Sequence, residues 1–210
     1  MSGLTPRDVA TVRQVAGHAL QYPDHELLGR LPLLQAALDT LPTPVAEPLA
    51  ELVDHLAGTP AHTLAADYVA TFDLSRRHAL HLTYFTHGDT RRRGLALLRI
   101  KQRYRRAGFV LDEAELPDHL AVVLEFAATV DADAGTRLLF EHRAGLELLR
   151  LALTEAGSPY AAATAAVSAT LPPLQGSIRE AVARLAAEGP PGEEVGLDPF
   201  TPLHQLGAPR

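Results

Sequence analysis

The chain has 210 residues, 47% apolar and 21% charged, the ordinary balance of a chain that folds around its own core, and long enough for one sizeable core or two small ones. It has no Cys, which excludes disulfides and Cys-based zinc or iron–sulfur sites, and no apolar run long enough to span a membrane. The formal charge is −6, and with 5% aromatics and no Trp the core must come mainly from Leu, Ala and Val, which suits packed helices.

The apolar spacing is helical almost throughout. The first twenty residues include Arg7, Asp8 and Arg13 and lack the apolar centre of a secretion signal, so a cytoplasmic location is expected. Thr5-Pro6 reads as a cap and first helical residue, after which Val9, Val12, Ala16 and Leu20 share a face. Tyr22-Pro23-Asp24 breaks that helix, and Asp24 can cap the next, which carries Leu27, Leu28, Leu31, Leu34 and Leu38 with an expected kink or restart at Pro32. Thr43-Pro44 opens a third helix with Leu49, Leu52, Val53 and Leu56, closed by Gly58-Thr59-Pro60. A fourth runs from near Leu64 through Tyr68 to Phe72.

The stretch from Asp73 to Arg106 differs in kind. His78 to Thr86 is apolar and aromatic, and His87-Gly88-Asp89-Thr90 makes a turn with a capping side chain. A helix with Leu97, Ile100 and Tyr104 on one side then ends at Ala107-Gly108. Pro117-Asp118 starts a helix that is apolar nearly all round from Leu120 to Val130, expected to be central and buried. Leu138, His142, Leu146, Leu149 and Leu153 mark a long amphipathic helix. Ser158-Pro159 starts an Ala-rich one that Pro172-Pro173 stops, and Ile178, Val182 and Leu185 mark the last. No strand-like alternation and no internal repeat occurs. The expected fold is all-α, a single-domain helical bundle over 1–188, with a Pro/Gly-rich tail at 189–210.

Ten of the nineteen basic residues lie between Arg76 and Arg106, opposed only by Asp89. They form either a solvated basic face or a site for an anion or acidic partner. Arg91, Arg92 and Arg93 occupy a helix's first turn, where cations are unfavourable, so an anion or partner contact with His87 and Asp89 beside them is one reading. Pairing with acids on neighbouring helices is the other. Nucleic acid is an alternative partner, with Tyr84, Phe85 and Tyr104 available to stack, but the overall acidity and the lack of any DNA-binding motif speak against it. His78, His81, His87 and His119 raise the question of metal; without Cys or a His-Glu-x-x-His motif, packing or capping is the better reading of His78 and His81. Nucleophile elbows, phosphate loops and dinucleotide-binding glycines are missing, so no catalytic residue, cofactor or metal is expected. Glu125 stands alone in the apolar run 120–130. It should be buried and paired, with an Arg near 91–103 or with an Arg of a bound peptide.

Two segments carry more than helical character: Tyr68-Val69-Ala70-Thr71-Phe72-Asp73-Leu74 leading to Leu82-Thr83-Tyr84-Phe85-Thr86-His87-Gly88-Asp89-Thr90-Arg91-Arg92-Arg93-Gly94, and Leu116-Pro117-Asp118-His119-Leu120 continuing to Phe126. They resemble the delta-subunit family of respiratory nitrate reductases, the NarJ-type assembly chaperones, within the wider class of chaperones for molybdenum redox enzymes. The likeness runs from about residue 67 to 147; residues 195–200 also look family-like, and Phe85 stands where Tyr would be expected. The resemblance implies a helical fold, no catalysis, a cytoplasmic role without stable membrane insertion, and the catalytic alpha subunit as partner. The chaperone would hold that subunit's N-terminal segment and assist molybdenum-cofactor insertion before membrane attachment. It places Asp118 and His119 at the peptide site. Tyr68, Phe72, Leu82, Tyr84, Phe85 and Glu125 join them as candidates, the Leu80 to Phe85 stretch being either a groove wall or plain core.

Overall fold

The computed structural model describes residues 3–112 and 115–188; the expected tail at 189–210, with residues 195–200, lies outside the described residues. The chain starts as its polar residues dictate. The Thr5 hydroxyl accepts the Asp8 N–H at 3.2 Å while the Asp8 carboxylate accepts the Thr5 N–H at 2.8 Å, a reciprocal cap that opens α1 (Pro6–Ala19). Asp24 opens α2 (His25–Leu38) by accepting the N–H groups of Glu26 and Leu27. Pro32 does not restart that helix: α2 runs through it, because Pro32 sits on the exposed face where water can take the freed carbonyl one turn back.

α3 (Thr43–Gly58) and α4 (Ala61–Tyr68) follow, and α4 widens into a π-helical turn over Val69–Asp73. A single 3-10 turn at Arg76–His78 leads to the short α5 (Leu82–His87), which ends at Gly88 with φ +56°. α6 (Arg91–Arg106) ends at Gly108, φ +74°, as the sequence predicts. The expected side-chain cap at its start is not made. The Thr90 hydroxyl donates to the His87 carbonyl at 2.7 Å, and Asp89 is engaged by Arg93.

α7 (Leu120–Thr129) is the central helix. Leu120, Val122, Val123, Leu124 and Phe126 are all buried, roughly 1.5–3 kcal/mol gross for each such side chain. Glu125 is the exception: it is exposed on α7 and forms no salt bridge among the described residues, which corrects the expectation of a buried pair. The run looked apolar all round, but one narrow strip of α7 faces water. α1 crosses α7 closely because Gly17 meets Leu124 there; a Cβ on Gly17 would lie 3.2 Å from Leu124 Cβ.

The long helix expected over 138–153 is two helices, α8 (Ala132–Glu141) and α9 (Arg143–Glu155), broken at His142 with φ −105° and ψ +18°. The break lets α8 fold back on α7 while α9 turns to meet α5, α10 (Ala161–Ala169) and α11 (Gly176–Glu188). Among the described residues the fold is all-helical, and no helix is long and apolar enough to cross a membrane.

Candidate functional site

The two segments singled out by sequence meet in space. Leu82 N–H donates to the Asp118 carbonyl at 3.0 Å, and Leu120 N–H to the Leu80 carbonyl at 2.8 Å. These bonds form an isolated antiparallel bridge that sets His81 opposite His119 at the starts of α5 and α7, ring centroids 5.3 Å apart and nearly perpendicular.

Asp118 lies behind this bridge, fully buried. Its carboxylate accepts the N–H of Thr83 at 3.2 Å and the Thr83 hydroxyl, and lies 3.3 Å from His81 Nδ1 and 3.7 Å from Arg93. Burial alone would raise its pKa; bonds from His81 and Thr83 and the charges of His81 and Arg93 outweigh it and hold the carboxyl below the usual carboxylate range. Asp118 is therefore saturated by its own chain, and a peptide cation cannot reach it. That corrects its placement as a direct contact and makes it the anchor of the 115–119 loop. Tyr104 adds a second tether, donating its hydroxyl to the Pro117 carbonyl at 2.8 Å.

His119 is half-buried, and burial first, with the nearby His81 charge, lowers its pKa to about 4. Its ring and that of His81 line a groove of about 620 Å³. Leu27, Tyr68, Ala121 and Val122 form the floor, and Tyr22 and Leu116, both substantially exposed, flank it. The Tyr68 hydroxyl is fixed by the Leu20 carbonyl at 3.0 Å, and Tyr22 stacks edge-on against its ring. Asp24, Glu26 and Glu115 stand on the rim, where Arg30 is paired with Glu26. Partial burial and the negative neighbours Glu125 and Asp112 push the Glu115 pKa up, so this rim carries a negative field.

The other candidates divide. Leu82, Tyr84 and Phe85 are enclosed, so apart from His81 the Leu80 to Phe85 stretch is core and not a groove wall. Phe72 is buried beside Tyr68 and Tyr160. Arg93 turns inward to Asp89, Thr83 and Asp118, which offsets its unfavourable place at a helix start. Arg91 and Arg92 are exposed, so three guanidinium groups do not converge on one anion pocket. The half-buried His87 and the exposed Asp89 lie at that turn, away from the groove lining. His78 bonds the Thr71 carbonyl, and among the described residues no group of three His, Asp or Glu is placed to hold a metal ion.

Sequence reasoning passed over His81, Glu115 and Tyr22 as groove residues. The repeated His-Leu pair, His81-Leu82 and His119-Leu120, was the available signal. It also missed two buried cations. Arg13 is enclosed between the hydroxyls of Thr136 and Thr170, and Arg143 pairs with buried Glu147, which also takes Arg150 and Ser168.

The family description "Nitrate reductase delta subunit" matches residues 38–166, from the end of α2 into α10 and across the whole bridge. The chain belongs to the nitrate reductase delta subunit family. Within that family it is 33% identical over 156 residues to the probable nitrate reductase molybdenum cofactor assembly chaperone NarJ of Bacillus subtilis (strain 168), covering 72% of this chain and 85% of that one. It is 46% identical over 159 residues to the nitrate reductase-like protein NarX of Mycobacterium tuberculosis (strain ATCC 25618 / H37Rv), covering 76% of this chain but spanning only 24% of that protein's length. A solved structure of a redox enzyme maturation protein from Archaeoglobus fulgidus shares the fold, with a TM-score of 0.57 at 22% identity, covering 80% of this chain and 94% of that one. The Bacillus subtilis relative, matched over most of both chains, is named as an assembly chaperone and not as a catalyst.

Proposed function

We propose that this chain is an assembly chaperone for a respiratory nitrate reductase. It holds the N-terminal segment of the catalytic alpha subunit and assists molybdenum-cofactor insertion in the cytoplasm, before membrane attachment. The observation that carries this reading is the groove beside the His81–His119 bridge, with its apolar floor and acidic rim. A guest helix laying its apolar face on Leu27, Leu116 and Val122 would present a cation to Glu115 and to Glu125, which lies one turn along α7 from Ala121. His119, kept neutral by burial, serves as a rim group without competing for the guest's positive charge. The names of relatives such as the Bacillus subtilis protein support the pathway.

Nucleic acid is not favoured: Tyr84, Phe85 and Tyr104, the rings that would have stacked on bases, are enclosed.

The test is calorimetry of the purified chain with a synthetic N-terminus of the cognate alpha subunit. Leu116→Asp and Glu125→Ala each weaken binding about tenfold, ~1.4 kcal/mol, while both variants melt within a degree or two of the parent, since both sites are exposed. Absence of any heat at high micromolar peptide, or equal affinity of parent and variants, overturns the proposal.

A further inference from the structure

The segment from Arg76 to Arg106 holds ten basic residues against Asp89 alone, a net +9, which leaves the rest of the chain at −15. Two of the α6 cations are neutralised internally, Arg93 by Asp89 and Asp118 and Arg103 by Glu141 at 3.0 Å. Arg91, Arg92, Arg99, Lys101, Arg105 and Arg106 form no salt bridge among the described residues, and all except the half-buried Lys101 are exposed. Helical spacing puts Ile100 and Tyr104 on the inward side and Leu95, Leu98 and Gln102 at the middle of the outward one. Leu95 and Leu98 are 59% and 57% exposed, and Val110, 90% exposed, sits beside Lys101 and Arg105 where the chain leaves the helix.

We propose that the outward face of α6 is a docking surface for an anionic lipid bilayer, on which the helix lies flat without crossing. The proposal is independent of the groove. Charge complementarity selects the partner's sign, and the distribution of the cations selects its shape. They run along both flanks of a convex ridge about 24 Å long, so a plane of negative charge engages all of them at once. An extended acidic peptide would track one flank only. The exposed leucines enter the interfacial layer of a bilayer, whereas a nucleic-acid backbone gives them nothing to bury against. The strongly negative remainder of the chain is repelled by the same surface, which fixes the orientation with the outward face of α6 against the membrane.

Flotation with vesicles tests this, using the full chain with phosphatidylcholine alone or mixed equally with phosphatidylglycerol. The chain floats with the mixed vesicles at low salt, not with phosphatidylcholine, and is released at high salt. Each cation near the surface contributes about fivefold in partition, so Arg92→Gln with Arg99→Gln lowers it roughly 25-fold. Leu95→Gln with Leu98→Gln also lowers it, which a purely ionic attraction would not show. Both double variants keep the parent's affinity for the alpha-subunit peptide, so this result and that of the groove are read separately. Equal flotation of the Arg variant and the parent, no flotation at low salt, or tighter binding of the parent to polyglutamate or duplex DNA than to the vesicles overturns the proposal.

Discussion

Replacing Asp118 with Asn removes one charge and little volume, and it tests whether that buried carboxylate anchors the site. The amide keeps one acceptor oxygen for Thr83. It loses the attraction to Arg93 at 3.7 Å and weakens the bond with His81 at 3.3 Å. Bonds to a charged group are worth about 1.5–3 kcal/mol each, neutral ones about 1, so the net loss is about 2–3 kcal/mol. For a chain of this size that corresponds to a fall of about 5–10 °C in the melting midpoint. The pH dependence supplies the control. The Asp118 pKa is held below its unfolded value of about 3.9, so its contribution is present above that range and is lost as pH falls through the depressed folded value. Calorimetric scans of parent and Asp118→Asn from neutral pH downward should therefore converge in acid. An Asn variant that melts with the parent at neutral pH, or whose deficit persists unchanged in acid, refutes the anchoring role.

Other expectations follow from single residues. His119 has a folded pKa near 4 against about 6.5 unfolded, so stability falls as pH drops from about 6.5 to 4, by at most about 3 kcal/mol; His119→Gln flattens that limb in midpoint-versus-pH measurements. A Cβ on Gly135 would lie 2.4 Å from Ala127 Cα, a backbone that cannot yield, so Gly135→Ala forces α7 and α8 apart and lowers stability by about 3 kcal/mol or more in urea titration. Arg13 is buried against two hydroxyls and no carboxylate, and Thr136 and Thr170 already donate to main-chain carbonyls, so Arg13→Met leaves stability within about 1 kcal/mol while Arg13→Ala, which leaves a hole, lowers it by about 2–4.

The helix starts at Thr5 and Asp24 and the helix end at Gly108 were readable because each is a local event, acting within four residues of itself. The Leu120 to Val130 run announced the central helix for the same reason. Glu125 did not announce its exposure, because whether one strip of an apolar helix meets water depends on what the other helices leave uncovered. The break at His142 was equally hidden. The heptad-like spacing is continuous across it, and only the close seat of Gly135 on Ala127 and of Gly145 on Phe85 shows that the two halves pack on different neighbours. At the candidate site, the family string singled out Asp118 and His119 together, but not which one faces outward. That was decided by the pairing of residues 80–82 with 118–120, a contact between distant segments.

That pairing also makes a clasp. The chain departs from the central helices at Leu82 and rejoins them at Leu120, and the basic helix lies in the ring between, with Ile100 and Tyr104 packed on the core. A structural excursion that leaves and returns through one fastening can be lengthened, shortened or recharged at its far side without disturbing the seat of α1 on α7. Regrafting the outward face of α6 with Arg93, Ile100 and Tyr104 kept would thus alter what the outer surface attracts and leave the tethers on Asp118 and Pro117 as they are.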